Sequence, residues 1–154
     1  MGSRTGLGII RLYHLLSLYK RQEVSRSGTE SIYFIFTNKN LPEDLVPYWD
    51  YDAPNIPNEP RDASAAACTA SALYELDGYL PGNHYKETAD KIMESLGSPA
   101  YRAKVGTNGN FILMHSVGSI PHGAEVDVPL NYADYYFLEG IMRKRDLESN
   151  KKLF

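Results

Sequence analysis

Three stretches of the chain carry helix-forming or apolar residues at helical spacing. Residues 62–76 begin with Asp62, a good N-cap, and contain six alanines, the strongest helix formers. Residues 84–96 place apolar side chains on one face and are followed by Gly97, which suits the end of a helix. Residues 129–147 are again apolar at helical spacing, with basic residues near the C-terminal end. This pattern predicts an all-α fold.

The segments that connect these helices are long. Residues 42–60 hold five prolines, which exclude a continuous helix or a central strand. Residues 104–128 hold four glycines and a short apolar run, which indicates a structured loop. Long ordered loops in compact domains often carry function, so we expect the chemistry of this protein on its loops.

Composition narrows the class of protein. The chain has 154 residues, a net charge of −3 and one cysteine, which suits a single domain without a disulfide framework or a cysteine-rich zinc site. No Lys/Arg cluster indicates a nucleic-acid partner, and no apolar run indicates a membrane span. The 12 tyrosines suit carbohydrate surfaces as well as helix packing. Oligomeric state and compartment stay open.

An aromatic and acidic cluster lies in the proline-rich loop. Trp49 and Tyr51 alternate with Asp50 and Asp52. These side chains could form a platform on which a sugar stacks, with carboxylates that accept bonds from its hydroxyl groups. They could equally anchor the loop by their aromatic rings, with the aspartates exposed or capping. The spacing alone does not decide between these interpretations.

Arg61 and Asp62 stand where this loop meets the first helix. We interpret them as structural, with an ion pair between them, Asp62 as the N-cap and Arg61 holding the loop. Paired carboxylates could also catalyse glycoside hydrolysis. However, no local signature selects a pair from the available acidic residues, which are Asp50, Asp52, Asp62, Glu125 and Asp127.

His115 and His122, together with Glu125 and Asp127, could be considered metal ligands, but their spacing matches no compact zinc pattern. A buried or capping His115 is the preferred interpretation, and no metal is predicted. Cys68, inside the alanine-rich helix, is expected to fill a small apolar space. Core packing is expected for the tyrosines of the last helix, which are Tyr132, Tyr135 and Tyr136.

Several longer motifs occur in an order typical of one enzyme family. They are VPYWDYDAPNIPNEPRDASAAACTASALYEL, ETADKIMESLGSPAY and GTNGNFILMHSVGSIPHGAEVDVPLNYADYYFLEGIMR. Over residues 32–146 the chain resembles the C-terminal part of glycoside hydrolase family 88, the unsaturated glucuronyl hydrolases. The resemblance implies part of an (α/α)6 barrel built from helical hairpins, with a sugar site at one end.

The resemblance also implies an activity for the parent enzyme. Family members remove the Δ4,5-unsaturated uronic acid from oligosaccharides that polysaccharide lyases release, by hydrating its vinyl ether group with an aspartate as general acid and base. They need no cofactor or metal, and a bacterial periplasm or cytoplasm would suit such a parent. The two catalytic aspartates lie upstream of the resembling segment and have no counterpart here. We therefore expect this chain alone to be inactive, with exposed apolar helix faces.

Some family members contact a substrate sulfate through a Ser-x-x-Ser-x-Lys motif. Ser116 and Ser119 match its serines, whereas Pro121 stands where the lysine would be, so sulfate recognition does not carry over. Together with Trp49 and Asp50, these serines are the predicted substrate-binding residues. Two alternatives are a non-catalytic carbohydrate-binding or interaction module and a fragment of an unsaturated rhamnogalacturonyl hydrolase.

Residues 1–31 do not resemble the family. If permitted codons for the first twelve residues are shifted by one nucleotide, they translate as WARGQAWGLYG, which is a family signature. We therefore predict that residues 1–31 are an out-of-frame or non-family segment, with the frame restored near Ser31. Residues 32–154 would then be the C-terminal part of the hydrolase domain.

Overall fold

The computed structural model of this protein describes residues 23–149. In chain order, this part of the protein contains helix α1 (Glu23–Phe36), α2 (Ala63–Tyr79), α3 (Tyr85–Gly97), strand β1 (Ser116–Ser119), strand β2 (Ala124–Val128) and helix α4 (Asn131–Glu148). Short 3-10 turns lie at Asn108–Asn110 and Ile120–His122. The three helices predicted from the sequence correspond to α2, α3 and α4.

Helix α2 is the central helix of the described residues. Its side chains are buried on nearly every side between Ala63 and Leu76. The alanines let neighbouring helices approach closely. Gly140 of α4 shows this, because a Cβ there would lie 3.9 Å from the backbone nitrogen of Ser71 and 3.2 Å from Sδ of Met93.

Helices α2 and α4 run parallel, with α3 antiparallel to both. Ser71 of α2 bonds to Glu139 of α4 at 2.6 Å, and Glu75, one turn further on, pairs with Arg143 at 2.8 Å. In contrast, Tyr74 of α2 bonds to Asp90 of α3 at 2.7 Å, and the later Asp77 accepts from the earlier Lys86 N–H at 3.3 Å. The N-termini of α2 and α4 therefore lie at the same end of the molecule.

The two long connections are ordered in different ways. Residues 42–60 form successive turns, as their prolines predict, and one isolated β-bridge pairs Tyr48 with Arg61. In the 104–128 connection, β1 and β2 form an antiparallel hairpin with a register shift between Ser116 and Val117. The sequence predicts a structured loop here but not a hairpin, because the strands are short and non-glycine residues with positive φ interrupt their alternation.

Tyrosine packing in α4 departs from expectation. The helix turns Ala133, Phe137 and Gly140 inward and leaves Tyr132 and Tyr135 exposed. The prediction that all three tyrosines pack in the core is therefore wrong for these two, whereas Tyr136 packs against the core. Helix α4 has one face on α2, and no other element in residues 23–149 covers the opposite face.

The predicted boundary near residue 31 falls inside α1. Residues 1–22 of the predicted out-of-frame segment lie outside the described residues, so the boundary stays a prediction. Among the helices in the described range, none combines the length and apolar character that crossing a membrane would require.

Candidate functional site

Strand β1 is docked on the N-terminus of α2 by two hydrogen bonds. The Ala63 N–H donates to the carbonyl of His115 at 2.9 Å, and the Val117 N–H donates to Oδ1 of Asp62 at 3.4 Å. The Ala63 N–H lies in the first turn of α2, where backbone N–H groups have no acceptor within the helix and need one from outside it. The hairpin is therefore fixed at the end of the molecule where α2 and α4 begin, which we call the hairpin end.

Asp62 is the N-cap of α2 and is buried. Its Oδ1 accepts from the Ser64 N–H at 3.1 Å, the Ala65 N–H at 3.3 Å and the Ser64 hydroxyl at 2.5 Å. Burial raises the pKa of Asp62, and these hydrogen bonds oppose that rise. Because Asp62 accepts hydrogen bonds from the first turn of α2 and from Val117 of β1, it holds these two elements together at the hairpin end.

The first turn of α4 also contributes to the hairpin end, through Asp134 and Tyr132. Asp134 accepts from the Ile112 N–H at 2.8 Å and the Leu113 N–H at 2.9 Å, so the segment that precedes the hairpin is held against this turn. Tyr132, two residues earlier in the same turn, has its pKa raised by burial, lowered by the Ser64 hydroxyl and raised by the Asp62 and Glu125 carboxylates. The half-exposed Tyr132 phenol is therefore close enough to the start of α2 and to Glu125 for their polar groups to influence it.

Glu125 folds back over the opposite strand. Its Cβ is 2.8 Å from where a Cβ on Gly118 would stand, and its Oε2 occupies the same space. A φ of 54° at Glu125 gives the backbone the left-handed turn that accompanies this placement. Only glycine at position 118 leaves room for the carboxylate.

The two predicted serines have different surroundings. Ser116 is 0% exposed, and its hydroxyl has no hydrogen-bond partner in the described part of the chain. Contact between Ser116 and a saccharide would require the hairpin to move. Ser119 is partly exposed, and its Oγ lies 2.6 Å from Nδ1 of His122. Ser119 is therefore the accessible hydroxyl of the pair.

The preferred interpretation is a buried or capping His115; the structure contradicts the burial, whereas the His115 carbonyl does cap the first turn of α2. Its ring nitrogen Nδ1 lies 2.6 Å from Oδ1 of Asp127, and its side chain is 42% exposed. The backbone explains the difference, because a φ of 62° at His115 accompanies a carbonyl turned toward the α2 N-terminus. His115 thus acts on α2 through its carbonyl, while its ring pairs across the hairpin.

Arg61 pairs with Asp44 and not with the adjacent Asp62, so the predicted ion pair is wrong. The Asp62 carboxylate is hydrogen-bonded to the first turn of α2. The Arg61 side chain lies against the proline-rich loop, where it donates to the Val46 carbonyl at 2.9 Å and lies over the Tyr48 ring. Arg61 therefore ties the proline-rich loop to the start of α2, with a different carboxylate as its partner.

In the aromatic and acidic cluster, Trp49 donates from Nε1 to Glu59 at 2.8 Å, and this bond lowers the pKa of Glu59. Asp50 accepts from the Asp52 N–H at 2.9 Å, which forms a local turn. Tyr51 is buried and meets Phe34 of α1 edge to face. These contacts support the loop, and the substrate-binding roles of Trp49 and Asp50 stay predictions.

The hairpin end offers hydroxyl groups and hydrogen-bond acceptors. Ser119 and Tyr132 can donate to or accept from a ligand, and Glu125 and Asp127 can accept. No group of three or more potential metal ligands occurs within residues 23–149. The arrangement is suited to recognising a polar ligand with several hydroxyl groups.

Comparisons with known proteins agree on one family. No family model matches the chain. An unsaturated glucuronyl hydrolase of Formosa agariphila is 48% identical over 114 residues, which are 74% of this chain and 28% of that protein. An unsaturated chondroitin disaccharide hydrolase of Streptococcus agalactiae is 34% identical over 113 residues, 70% of this chain and 28% of the relative.

Solved structures give the same result. An unsaturated glucuronyl hydrolase specific for heparin matches with a TM-score of 0.89 at 38% identity, over 94% of this chain and 40% of that structure. The chain belongs to the unsaturated glucuronyl hydrolases. A variant of the Streptococcus agalactiae unsaturated glucuronyl hydrolase, complexed with dGlcA-GalNAc6S, matches with a TM-score of 0.75 at 28% identity, over 90% of this chain and 37% of that structure.

This member of the unsaturated glucuronyl hydrolases spans 28% of the length of its curated relatives and about 40% of the solved structures. It corresponds to part of such an enzyme, and the predicted fold, part of an (α/α)6 barrel, is confirmed. Neither Tyr132 nor the position of Glu125 at the hairpin end is predicted from the sequence. For Glu125 the sequence signal is the glycine at position 118, which gains meaning only once the two strands are paired.

Proposed function

We propose that this chain forms one wall of the saccharide site of an unsaturated glucuronyl hydrolase. The parent enzyme would release the Δ4,5-unsaturated uronic acid from lyase-generated oligosaccharides. The observation that supports this role is that the Glu125 carboxylate lies over Gly118 and close to Tyr132, at the end where the parallel helices α2 and α4 begin, with Ser119 partly exposed on the same hairpin. Hydroxyl groups and carboxylates at such a position bind the hydroxyl groups of sugars.

The chain by itself is proposed to be inactive. The resemblance supplies no counterpart for the two catalytic aspartates, and a hydration step without its general acid and base loses most of its rate. Asp62 does not replace them, because its Oδ1 is engaged by the first turn of α2. Its role here is structural.

A segment exchange tests the proposal. Residues 32–146 would replace the corresponding part of the Formosa agariphila relative, and hydrolysis of an unsaturated disaccharide would be followed by the loss of its conjugated double bond. We expect turnover by the chimera and none by the isolated chain. A folded chimera that binds the disaccharide without turnover would instead favour the non-catalytic binding module. A folded chimera that neither binds nor hydrolyses it would refute the proposed role.

A further inference from the structure

The outer face of α4 carries a regular stripe of exposed side chains. Tyr135, Leu138 and Met142 follow one another at alternating intervals of three and four residues, and Arg145 continues the series. Ile141 lies one turn after Leu138, on the flank of the stripe. The four apolar side chains are between 45% and 58% exposed, and no other helix or strand within residues 23–149 covers them. Intervals of three and four residues are the spacing of the seam between two coiled helices.

Two copies of this stripe fit each other in an antiparallel pair. When the pair is centred midway between Leu138 and Met142, each of these side chains meets the other type in the second copy. Ile141 then approaches Ile141 of the second copy on the flank of the seam. A surface that matches itself after a twofold rotation is what a symmetric dimer requires, and covering an apolar stripe lowers its free energy.

The charge of Arg145 selects the direction of the pair. Its guanidinium lies 3.4 Å from the adjacent Asp146 carboxylate in a partly exposed pair, which holds it only weakly. In a parallel pair, Arg145 would face Arg145 of the second copy, and two like charges in one seam repel each other. In the antiparallel pair, Arg145 lies over the Tyr135 ring of the second copy, and the face of an aromatic ring attracts a cation. Charge therefore favours the antiparallel direction.

We propose that the outer face of α4 is a self-association surface, on which a second copy of this chain packs its own α4 in the antiparallel direction. About three turns of helix from each copy form a small interface, so the Kd of the dimer is expected in the micromolar range. The proposal goes beyond the saccharide site and does not depend on it.

Single cysteines on the stripe test the direction of the pair, because the native Cys68 is buried. An oxidised mixture of Tyr135→Cys and Arg145→Cys chains should form a disulfide-linked dimer, since the two positions face each other. Tyr135→Cys alone should not, because its two copies would lie about 15 Å apart along the helices, too far for a disulfide. Glu94→Cys on α3 is the control, since it is exposed but outside the stripe and should not cross-link with either variant.

Sedimentation velocity of the 154-residue chain, from about 5 to 500 μM, measures the association itself. We expect the wild type to change from monomer to dimer over this range. Tyr135→Ala should raise the Kd about tenfold, because it removes the ring that covers Arg145. Tyr33→Ala removes another exposed tyrosine, on α1, and should leave the Kd unchanged.

Three results would overturn the proposal. A wild type that stays monomeric throughout would show that the stripe is not covered by a second copy. A dimer in which Tyr135→Cys cross-links with itself, or in which the mixed cysteines do not cross-link, would show a parallel pair or another surface. A broad distribution of larger species would show unspecific aggregation in place of a defined dimer.

Discussion

Helices α2 and α4 run side by side, but only α2 is surrounded by the rest of the described chain. Leu73 of α2 is 0% exposed, whereas Leu138 of α4 is 48% exposed and Met142 lies beside it on the same uncovered face. Helix α2 is predicted by its N-cap and its alanines, and α4 by the helical spacing of its apolar residues. The contrast teaches that such local signals identify a helix without identifying what covers each of its faces.

The largest expected effect comes from making the same truncation in the two helices. Leu73→Ala should lower the free energy of unfolding by about 3 kcal/mol, because it removes a fully buried side chain and leaves a cavity. Leu138→Ala should cost less than about 1 kcal/mol, because its side chain is already half in solvent. Urea denaturation followed by circular dichroism measures both. Equal losses would show that the outer face of α4 is covered in the folded chain.

A smaller effect is expected from the polar contacts that hold α3 and α4 together. Asp90 accepts from Tyr74 at 2.7 Å and pairs with Lys86 and Lys144, each at 2.8 Å. Burial raises the pKa of Asp90, but the hydrogen bonds from these partners lower it more, to about 2. Asp90→Asn should therefore cost about 2 kcal/mol near neutral pH.

The same carboxyl predicts a pH dependence. Asp90 ionises at lower pH in the folded chain than its ordinary value of 3.8, so its stabilisation is complete above about pH 4 and is lost as the pH falls toward 2. Unfolding free energies of the wild type and Asp90→Asn should converge over this range. A constant difference between the two proteins down to about pH 2 would contradict the assignment.

The smallest effect on stability is expected from making the outer face of α4 polar. The double variant Leu138→Gln with Met142→Lys should change the unfolding free energy by less than about 0.5 kcal/mol, because both positions are exposed. It should also reduce self-association, because an exposed apolar stripe promotes it. Sedimentation velocity measures this. Unchanged association would show that contacts between copies use another surface.

Local signals in the sequence predicted much of the fold. Asp62 before a run of alanines is sufficient to place the start of α2, since capping and helix propensity act over a few residues. The partner of Arg61 could not be predicted, because Asp44 lies 17 positions away and only the folded loop brings the two together. The hairpin was missed for a similar reason, since left-handed backbone at His115, Glu125 and Asp127 is not encoded by glycine.

The candidate site was only partly accessible to sequence reasoning. The family motif selected Ser116 and Ser119, but their burial differs because β1 docks against α2 through contacts between distant residues. Tyr132 was assigned to the core by its helical spacing. Its position beside Ser64 and Glu125 depends on the parallel arrangement of α2 and α4, which no local pattern encodes.

Trp49 is the only tryptophan in the chain, and its indole N–H is bonded to Glu59 within the proline-rich loop. Fluorescence excited selectively at tryptophan therefore reports on this loop, whereas far-ultraviolet circular dichroism reports mainly on the helices. If the unfolding transition followed by fluorescence differs from the one followed by circular dichroism, the loop unfolds separately from the helices. The protein thus carries an intrinsic optical reporter of the stretch that connects α1 to α2.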